Sequence, residues 1–324
     1  MTLKQEVLSC LEENRGKSIS GEELAESFGV SRAAVWKAVS SLRAEGYHIE
    51  AVTNRGYMLG KESDLLNAEA IAAASSLLKK ENIHVLGETD STNVRAKAMA
   101  LEGAPHGSLI LAESQTAGRG RLGRSFISPP GSGIYMSLVL RPEADLARAM
   151  LITTAAAAAA CRAIRRETGA DVGIKWVNDL YIGKKKISGI LTEAMTDFES
   201  GSLESVIVGI GINYRQLSAS YPEDIRERMT WIYTEGQEPT VSRSRLAGAA
   251  AAEILACCSD LENPEFLDYY RKHAVMLDRD VTCIRGNEQW NAHTLDIDDM
   301  GGLVIRKEDG SVCTLSSGEI SIRW

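Results

Sequence analysis

The stretch Ser114–Arg124, SQTAGRGRLGR, constrains this chain more than any other part of it. It places three glycines and three arginines between two segments that read as strands, Ser108–Glu113 and Ile134–Leu140. Glycine lets a backbone reach conformations closed to other residues and approach a ligand closely. Arginine offers a permanent charge and a planar fork of donors suited to phosphate. A loop with both is a candidate anion cradle. Gly118-Arg119-Gly120-Arg121-Leu122-Gly123 also spells G-x-G-x-x-G, but that fingerprint needs a helix directly after it, because the helix N-terminus holds the pyrophosphate. Here Ser128-Pro129-Pro130-Gly131 follows, and then a strand, so the dinucleotide reading fails on context. The G-x-x-x-x-G-K-[S/T] phosphate loop is absent. Arg119, Arg121 and Arg124 instead suit the phosphates of a nucleotide, where charge builds up in phosphoryl or nucleotidyl transfer. The plain alternative is an exposed basic loop, which three arginines among so many glycines make the weaker reading.

At 324 residues the chain has room for two or three domains. Its six cysteines (Cys10, Cys161, Cys257, Cys258, Cys283, Cys313) form no C-x-x-C pair and read as thiols in a reducing cytoplasm. The histidines are scattered, so no protein-built metal site is expected. The N-terminus carries no secretory pattern, and no run approaches the roughly 18 apolar residues of a membrane span. A cytoplasmic protein without a membrane partner is therefore expected. A net charge of −8 argues against wholesale nucleic-acid binding, although a basic face on one domain would be averaged away.

Such a face is present near the N-terminus. Leu3, Val7, Leu8 and Leu11 recur at helical spacing. Ser20 and Glu23 form a capping box opening a second helix, and Gly29 turns the chain towards Ser31, the N-cap of a third. In that helix, Ser31 to Ala44, Val35, Val39 and Leu42 fall on the inner face. The outer side gathers Arg32, Ala33, Trp36, Lys37, Ser40 and Arg43, and no acid occurs from Ser27 to Ala44. Ile49–Val52, a turn at Thr53–Gly56 carrying Arg55, and Tyr57–Leu59 would add a basic-tipped hairpin. The pattern fits a winged helix-turn-helix that binds DNA. A small helical protein-interaction domain with a solvated charged face is the alternative, and for Trp36 the alternative is packing against the wing or the next domain.

After a polar seam at Lys61–Asp64, a helix is expected over Leu65–Lys80. Strands follow at Ile83–Gly87, Ser108–Glu113, Ile134–Leu140, Val172–Trp176, Leu180–Ile182, Ile187–Met195 and Ser205–Gly211, and helices at Val94–Leu101, Ala144–Thr168, Ser242–Leu261 and Phe266–Ala274. Hairpins among them argue for an α+β fold rather than a doubly wound sheet. From about Met276, short strands separated by Arg285-Gly286-Asn287, Met300-Gly301-Gly302 and Asp309-Gly310 read as a small β-barrel. The domains expected are 1–63, 64–274 and 275–324.

A second constellation is Lys175-Trp176-Val177-Asn178-Asp179 with Lys184-Lys185-Lys186. An aromatic, an amide and a carboxylate at a strand end suit an adenine platform, a hydrogen-bond partner and a magnesium contact. Read alone, the three lysines make a solvated turn.

Taken together, DSTN (90–93), QTAGRGRLGR (115–124), KWVNDLY (175–181), KKISGIL (185–191) and GIGIN (209–213) resemble the motifs of biotin–protein ligases in order and spacing. With the helix-turn-helix, the whole chain resembles the bifunctional biotin ligases that also repress biotin genes. The resemblance implies a winged helix-turn-helix, a central mixed α/β ligase domain and an SH3-like barrel. It implies activation of biotin by Mg-ATP as biotinyl-5′-AMP, then transfer to a lysine on the biotin carrier domain of acetyl-CoA carboxylase. Magnesium would come with ATP. The adenylate would act as corepressor, promoting a homodimer that binds operator DNA.

By the same resemblance Ser91, Thr92, Asn93 and Gln115 would contact biotin, with Arg119, Gly120, Arg121 and Lys186 also at the biotin site. Gly118, Arg119, Arg121, Arg124, Phe126, Asn178, Asp179 and Asn213 would bind the nucleotide, and Lys186 and Arg121 would be catalytic. Phe126 falls where relatives can carry a tryptophan over the adenine. Val177 replaces the usual proline of Trp-Pro-Asn-Asp. A ligase for lipoate or octanoate, and a ligand-sensing transcription factor without catalysis, are the competing readings.

Overall fold

The computed structural model describes residues 2–44, 46–52, 55–60, 64–142, 146–196, 202–217, 221–286 and 288–322. At the N-terminus, α1 (Leu3–Glu13), α2 (Gly21–Ser27) and α3 (Arg32–Ala44) are followed by the hairpin β1 (Ile49–Val52) and β2 (Gly56–Leu59). Ser20 Oγ accepts from Glu23 N at 3.0 Å, one half of the expected capping box, and Ser31 Oγ accepts from Ala34 N at 3.2 Å as an N-cap. Val7, Leu11, Leu24, Val35, Val39 and Leu42 are buried in a core of their own, closed by Ile49 and Leu59 from the hairpin. Gly56 is required where it stands. Its φ is +100°, and a Cβ would lie 2.0 Å from the Ile19 carbonyl oxygen. Thr53 and Asn54 of the expected turn, and residues 61–63 of the seam, lie outside the described residues.

The central part runs α4 (Ala68–Ala72), β3 (Ile83–Thr89), α5 (Thr92–Leu101), β4 (Ser108–Gln115), β5 (Gly133–Leu140), α6 (Leu146–Thr168), β6 (Val172–Lys175), β7 (Asp179–Ile182), β8 (Lys185–Thr196), β9 (Leu203–Asn213), α7 (Glu223–Arg228), α8 (Arg243–Ser259) and α9 (Glu265–His273). Its seven strands form one sheet in the order β3-β4-β5-β9-β8-β7-β6. Only β3 and β4 pair in parallel. Leu109 and Leu111 pack with α6 and α8 on one face, while Ile110 packs with Ala96 and Ala100 of α5 on the other. A strand covered on both faces reads as an unbroken apolar run, which is why β5 is buried at every position. Ala155–Ala160 of α6 are all fully buried, the small side chains letting neighbouring elements approach.

One expected helix is corrected. Leu65–Lys80 is helical only over Ala68–Ala72, with a 3₁₀ turn at Lys80–Asn82. Asn67 caps the start, its Oδ1 accepting from Ala70 N at 2.7 Å. At the other end Ser75 Oγ accepts from Leu77 N at 3.2 Å, a local turn that competes with helix continuation. The irregular region 221–233 contains the short α7.

The region expected as a small barrel forms a five-stranded antiparallel sheet: β10 (Asp280–Arg285), β11 (Glu288–Ile297), β12 (Leu303–Lys307), β13 (Val312–Leu315) and β14 (Glu319–Ile322), in the order β13-β12-β11-β10-β14. Asn287 and residues 323–324 of the expected turn and last strand lie outside the described residues. Val281, Ile297, Leu303 and Ile305 belong to the same continuous core as the central sheet. Trp176 Nε1 donates to the Gly301 carbonyl at 3.0 Å, and Arg271 Nε to the Ile297 carbonyl at 2.8 Å.

Arg243, the first residue of α8, is 1% exposed. Its Nε lies 3.1 Å from Asp64 Oδ2 and its Nη1 lies 2.8 Å from Glu113 Oε2. Nη1 also donates to the Gly133 carbonyl at 3.2 Å, and the backbone N–H donates to Asp64 Oδ1 at 2.9 Å. Glu113 Oε1 accepts in turn from Leu66 N at 2.7 Å. Removing one partner of a buried ion cluster leaves charge without compensation, at about 3–5 kcal/mol. Arg243→Ala should therefore lower unfolding free energy by about that amount, read from urea denaturation; a loss of less than about 1 kcal/mol would show the cluster to be dispensable.

Candidate functional site

A cleft open to solvent gathers the start of α5, the ends of β4 and β6, the start of β7, the glycine-rich loop, parts of β8 and β9, and β14. Its two ends differ in chemistry. At the closed end, Thr92 N donates to Gln115 Oε1 at 2.8 Å, and Gln115 Nε2 donates to Ser128 Oγ at 2.9 Å. Asn93 Nδ2 donates to Glu193 Oε2 at 2.8 Å and to the Leu191 carbonyl at 3.3 Å. Lys97 Nζ lies 2.5 Å from Glu193 Oε1. Burial would push the Glu193 carboxyl up, but the bonds from Lys97 and Asn93 outweigh it and hold it below the usual carboxylate range. Gly209 makes room for Asn93: a Cβ there would lie 1.9 Å from Asn93 Oδ1.

The other end is cationic. Arg121 Nη1 donates to Asn178 Oδ1 at 2.9 Å and its Nη2 to the Gly318 carbonyl at 3.2 Å. Arg124 Nη2 lies 2.7 Å from Glu319 Oε2, and Lys186 Nζ 2.6 Å from Asp179 Oδ1. Asn178 is fixed by donating from Nδ2 to the Ile190 carbonyl at 2.7 Å. Burial pulls the Lys175 ammonium below the usual lysine range, with Asp179 opposing the shift and Lys186 adding to it. The Phe126 ring lies over Gly211, where a Cβ would come within 2.5 Å of it. A ring, three arginines and two lysines can hold a flat base and its phosphates.

The structure thus brings Ser91, Thr92, Asn93, Gln115, Arg119, Gly120, Arg121, Arg124, Phe126, Asn178, Asp179 and Lys186 to one cleft. Gly118 and Asn213 stand outside its lining. Gly118 braces the loop from behind, its carbonyl accepting from Phe126 N at 2.9 Å. Asn213 Nδ2 donates to the Thr230 carbonyl at 3.1 Å. Trp176, a candidate ring platform in the sequence, also lines the cleft; it is 3% exposed, and its Nε1 donates to the Gly301 carbonyl. Its peptide bond to Val177 is cis. Sequence reasoning assigned no role to Lys175, Gly189, Gly209, Gly211 or Glu319. The first four sit inside motifs already noticed; Glu319 carries no local signal, because the sheet that delivers it is distant in sequence.

On the N-terminal domain, Arg32, Ala33, Trp36 and Lys37 of α3 are exposed, as is Arg55 at the hairpin. Trp36 is 58% exposed, so it does not serve as a packing residue. Ser40 is half-buried. Arg43 is exposed, but its Nε donates to the Ile49 carbonyl at 2.7 Å, tying α3 to the hairpin.

A helix-turn-helix joined to a sheet whose cleft pairs a polar end with an arginine-rich end defines a DNA-binding protein that carries a ligase-type domain. Residues 86–213 match the biotin/lipoate A/B protein ligase family, and residues 4–58 match an HTH domain family. The chain is 32% identical over 321 residues to the bifunctional ligase/repressor BirA of Bacillus spizizenii, covering 95% of each. It is 31% identical over 311 residues to that of Escherichia coli K12, covering 95% of this chain and 94% of that one. A solved structure of the Aquifex aeolicus biotin protein ligase in complex with biotin and ATP aligns with a TM-score of 0.63 and 29% identity, over 75% of this chain and 99% of that one. The chain belongs to the bifunctional ligase/repressor BirA family. It is a biotin–protein ligase with a DNA-binding repressor domain.

Because Asn93 fills the space above Gly209, Gly209→Ala should displace that amide and lower kcat/KM for biotin by about ten- to a hundred-fold. Steady-state carrier labelling checks this, and an unchanged kcat/KM would mean the closed end tolerates the shift.

Proposed function

We propose that the cleft binds biotin at its polar end and Mg-ATP at its cationic end, and joins them as biotinyl-5′-AMP. Ser91, Thr92, Asn93 and Gln115 form the head-group end, with Arg119 and Gly120 over it. The biotin carboxylate attacks the α-phosphorus of ATP, forming the acyl–phosphate bond as the bond to pyrophosphate breaks. Arg119, Arg121, Arg124 and Lys186 meet the negative charge that grows on the phosphate, the role of preorganised electrostatic stabilisation. Phe126 supplies the aromatic plane for adenine, Asn178 and Asp179 line the nucleotide side, and Gly118 and Asn213 support it from behind. Magnesium arrives with ATP as part of the substrate.

In the second step the neutral ε-amine of a lysine on a biotin carrier domain, such as that of acetyl-CoA carboxylase, attacks the anhydride carbonyl. The amide bond forms, AMP leaves with the electron pair, and the amine loses its proton. A glycine-rich loop closed over the adenylate keeps water from that carbonyl. Residues 64–274 with 275–324 carry this chemistry, and residues 1–63 carry DNA binding through Arg32, Ala33, Trp36, Lys37, Ser40, Arg43 and Arg55. As corepressor, biotinyl-5′-AMP favours a homodimer, since a ligand that binds the dimer more tightly promotes dimerisation in return. Two winged helices on a twofold axis read an inverted-repeat operator. On this reading the protein acts in the cytoplasm without a membrane partner.

The observation that carries this reading is the sharing of one cleft, under one loop, by the uncharged polar end and the arginine–lysine end. Incubation with biotin, ATP and a carrier domain should yield biotinylated carrier lysine. Lys186→Ala should reduce the rate at least about a hundred-fold, the scale of a lost oxyanion-type contact. Arg121→Gly should keep biotin binding but release the adenylate early. Labelling by lipoate and not by biotin would overturn the reading. Removal of residues 1–60 should abolish operator binding in a gel-shift assay, and binding that survives would refute the DNA-binding assignment.

A further inference from the structure

Lys186 reaches the cleft through an irregularity in its strand. β8 pairs with β7 in one register at Asp179–Gly189 and Leu180–Ser188, and in a register shifted by one residue at Tyr181–Lys186 and Ile182–Lys185. Ile187 is the extra residue of a β-bulge. Side chains of a regular strand alternate between its two faces, so without the bulge Lys186 would point away from the face that Gly189 turns to the cleft. The bulge reverses this. Ile187 packs with Leu180 in the main core, while the Lys186 ammonium stands on the cleft side, where a Cβ on Gly189 would come within 2.9 Å of it.

A bulge disrupts the ladder locally, and the backbone at Lys186 needs another neighbour. β9 does not supply it, because its pairing with β8 stops at Ser188–Ile212. The segment after α7 takes over. Thr230 N donates to the Lys186 carbonyl at 2.9 Å, and Met229 bridges Lys186 in parallel. The same segment is tied back to the end of β9, Ile232 N donating to the Asn213 carbonyl at 3.0 Å and Tyr233 N to the Tyr214 carbonyl at 2.9 Å. It is seated by Met229 and Trp231, buried with Tyr221, and Trp231 Nε1 donates to Ser132 Oγ at 3.3 Å. Asn213 closes the join. Its Nδ2 lies 3.1 Å from the Thr230 carbonyl and 3.5 Å from the Lys186 carbonyl, and an amide nitrogen has two hydrogens to give.

We infer, resting on the reading of Lys186 given above and deepening it, that Asn213 is a positioning residue for Lys186. With Thr230 it holds the carbonyl of a bulged lysine at the point where β9 has stopped pairing, and so keeps the ammonium aimed into the cleft. Asn213 stands outside the cleft lining and acts through the backbone of its neighbour.

Asn213→Asp tests it. The shape is kept, but the nitrogen that serves two carbonyls becomes an oxygen facing them. The kcat for adenylate formation should fall about ten- to a hundred-fold, the cost of misplacing a reacting group by about 1 Å, while the KM values for biotin and ATP stay within about two-fold. In a Lys186→Ala background the same change should cost less than about two-fold, because residues that act as a unit are not additive. An unchanged kcat, a raised KM for ATP, or an equal loss with and without Lys186 would overturn the inference.

The aim of Lys186 is also readable without substrate. Its Nζ is held 2.6 Å from Asp179 Oδ1, and Lys184, exposed on the adjoining turn, is the internal reference. Trace acetylation by an N-hydroxysuccinimide ester, followed by peptide mass spectrometry, should label Lys186 relative to Lys184 about three-fold faster in Asn213→Asp than in wild type, the scale of one loosened ion pair. Equal ratios would overturn the inference. If Asn213→Asp does not fold, Asn213→Ala removes the same donors without adding a charge and carries the same measurements. A wild-type protein that makes no adenylate from biotin and ATP would refute the function proposed above, and the labelling ratio would still decide the role of Asn213.

Discussion

The buried guanidinium of Arg243 holds together parts of the chain that otherwise share no backbone. One side chain meets Asp64 at the end of the seam, Glu113 on β4 and the Gly133 carbonyl at the start of β5. Burying a charge is unfavourable unless it is paired and hydrogen-bonded, so these contacts can be satisfied only when α8, the seam and the sheet stand in one arrangement. Glu113 lies two residues before Gln115 on β4; it meets Arg243 of α8, whereas Gln115 meets Thr92 at the start of α5. The joint that seats the N-terminal domain's attachment thus shares a strand with the residue that holds Thr92.

Around that joint the cleft is made by close approach as much as by functional groups. Gly209 and Gly211 alternate on β9, and each leaves a hole that another element fills, Asn93 in one case and Phe126 in the other. Glycine here is a spatial requirement and not a conformational one. The two ends of the cleft are consequently set by the same strand, which fixes the distance between a head group and the base it is joined to.

Much of this was legible in the sequence. The outer face of α3, the glycine-rich loop and the Asn178–Asp179 pair were each marked by residue type and spacing, whereas Lys186 was singled out from its neighbours only by the family resemblance. The alternation of buried and exposed positions placed the strands within a few residues. What escaped was set by tertiary contact. Leu65–Lys80 has the composition of a helix, yet local turns at Asn67 and Ser75 confine it to Ala68–Ala72. Asn213 closes a motif without lining the cleft, because its amide is occupied by the Thr230 carbonyl. Glu193 and Glu319 carry no motif at all; only pairing across β8 and the docking of the last strand reveal them.

Arg121 and Arg124 of the loop are each held by protein partners. Arg121 is bonded to Asn178 and the Gly318 carbonyl, and Arg124 to Glu319. On the function proposed above, a phosphate that recruits Arg121 or Arg124 competes with these partners, two of which, the Gly318 carbonyl and Glu319, stand at the entry to β14, so filling the cleft would change what holds the last strand.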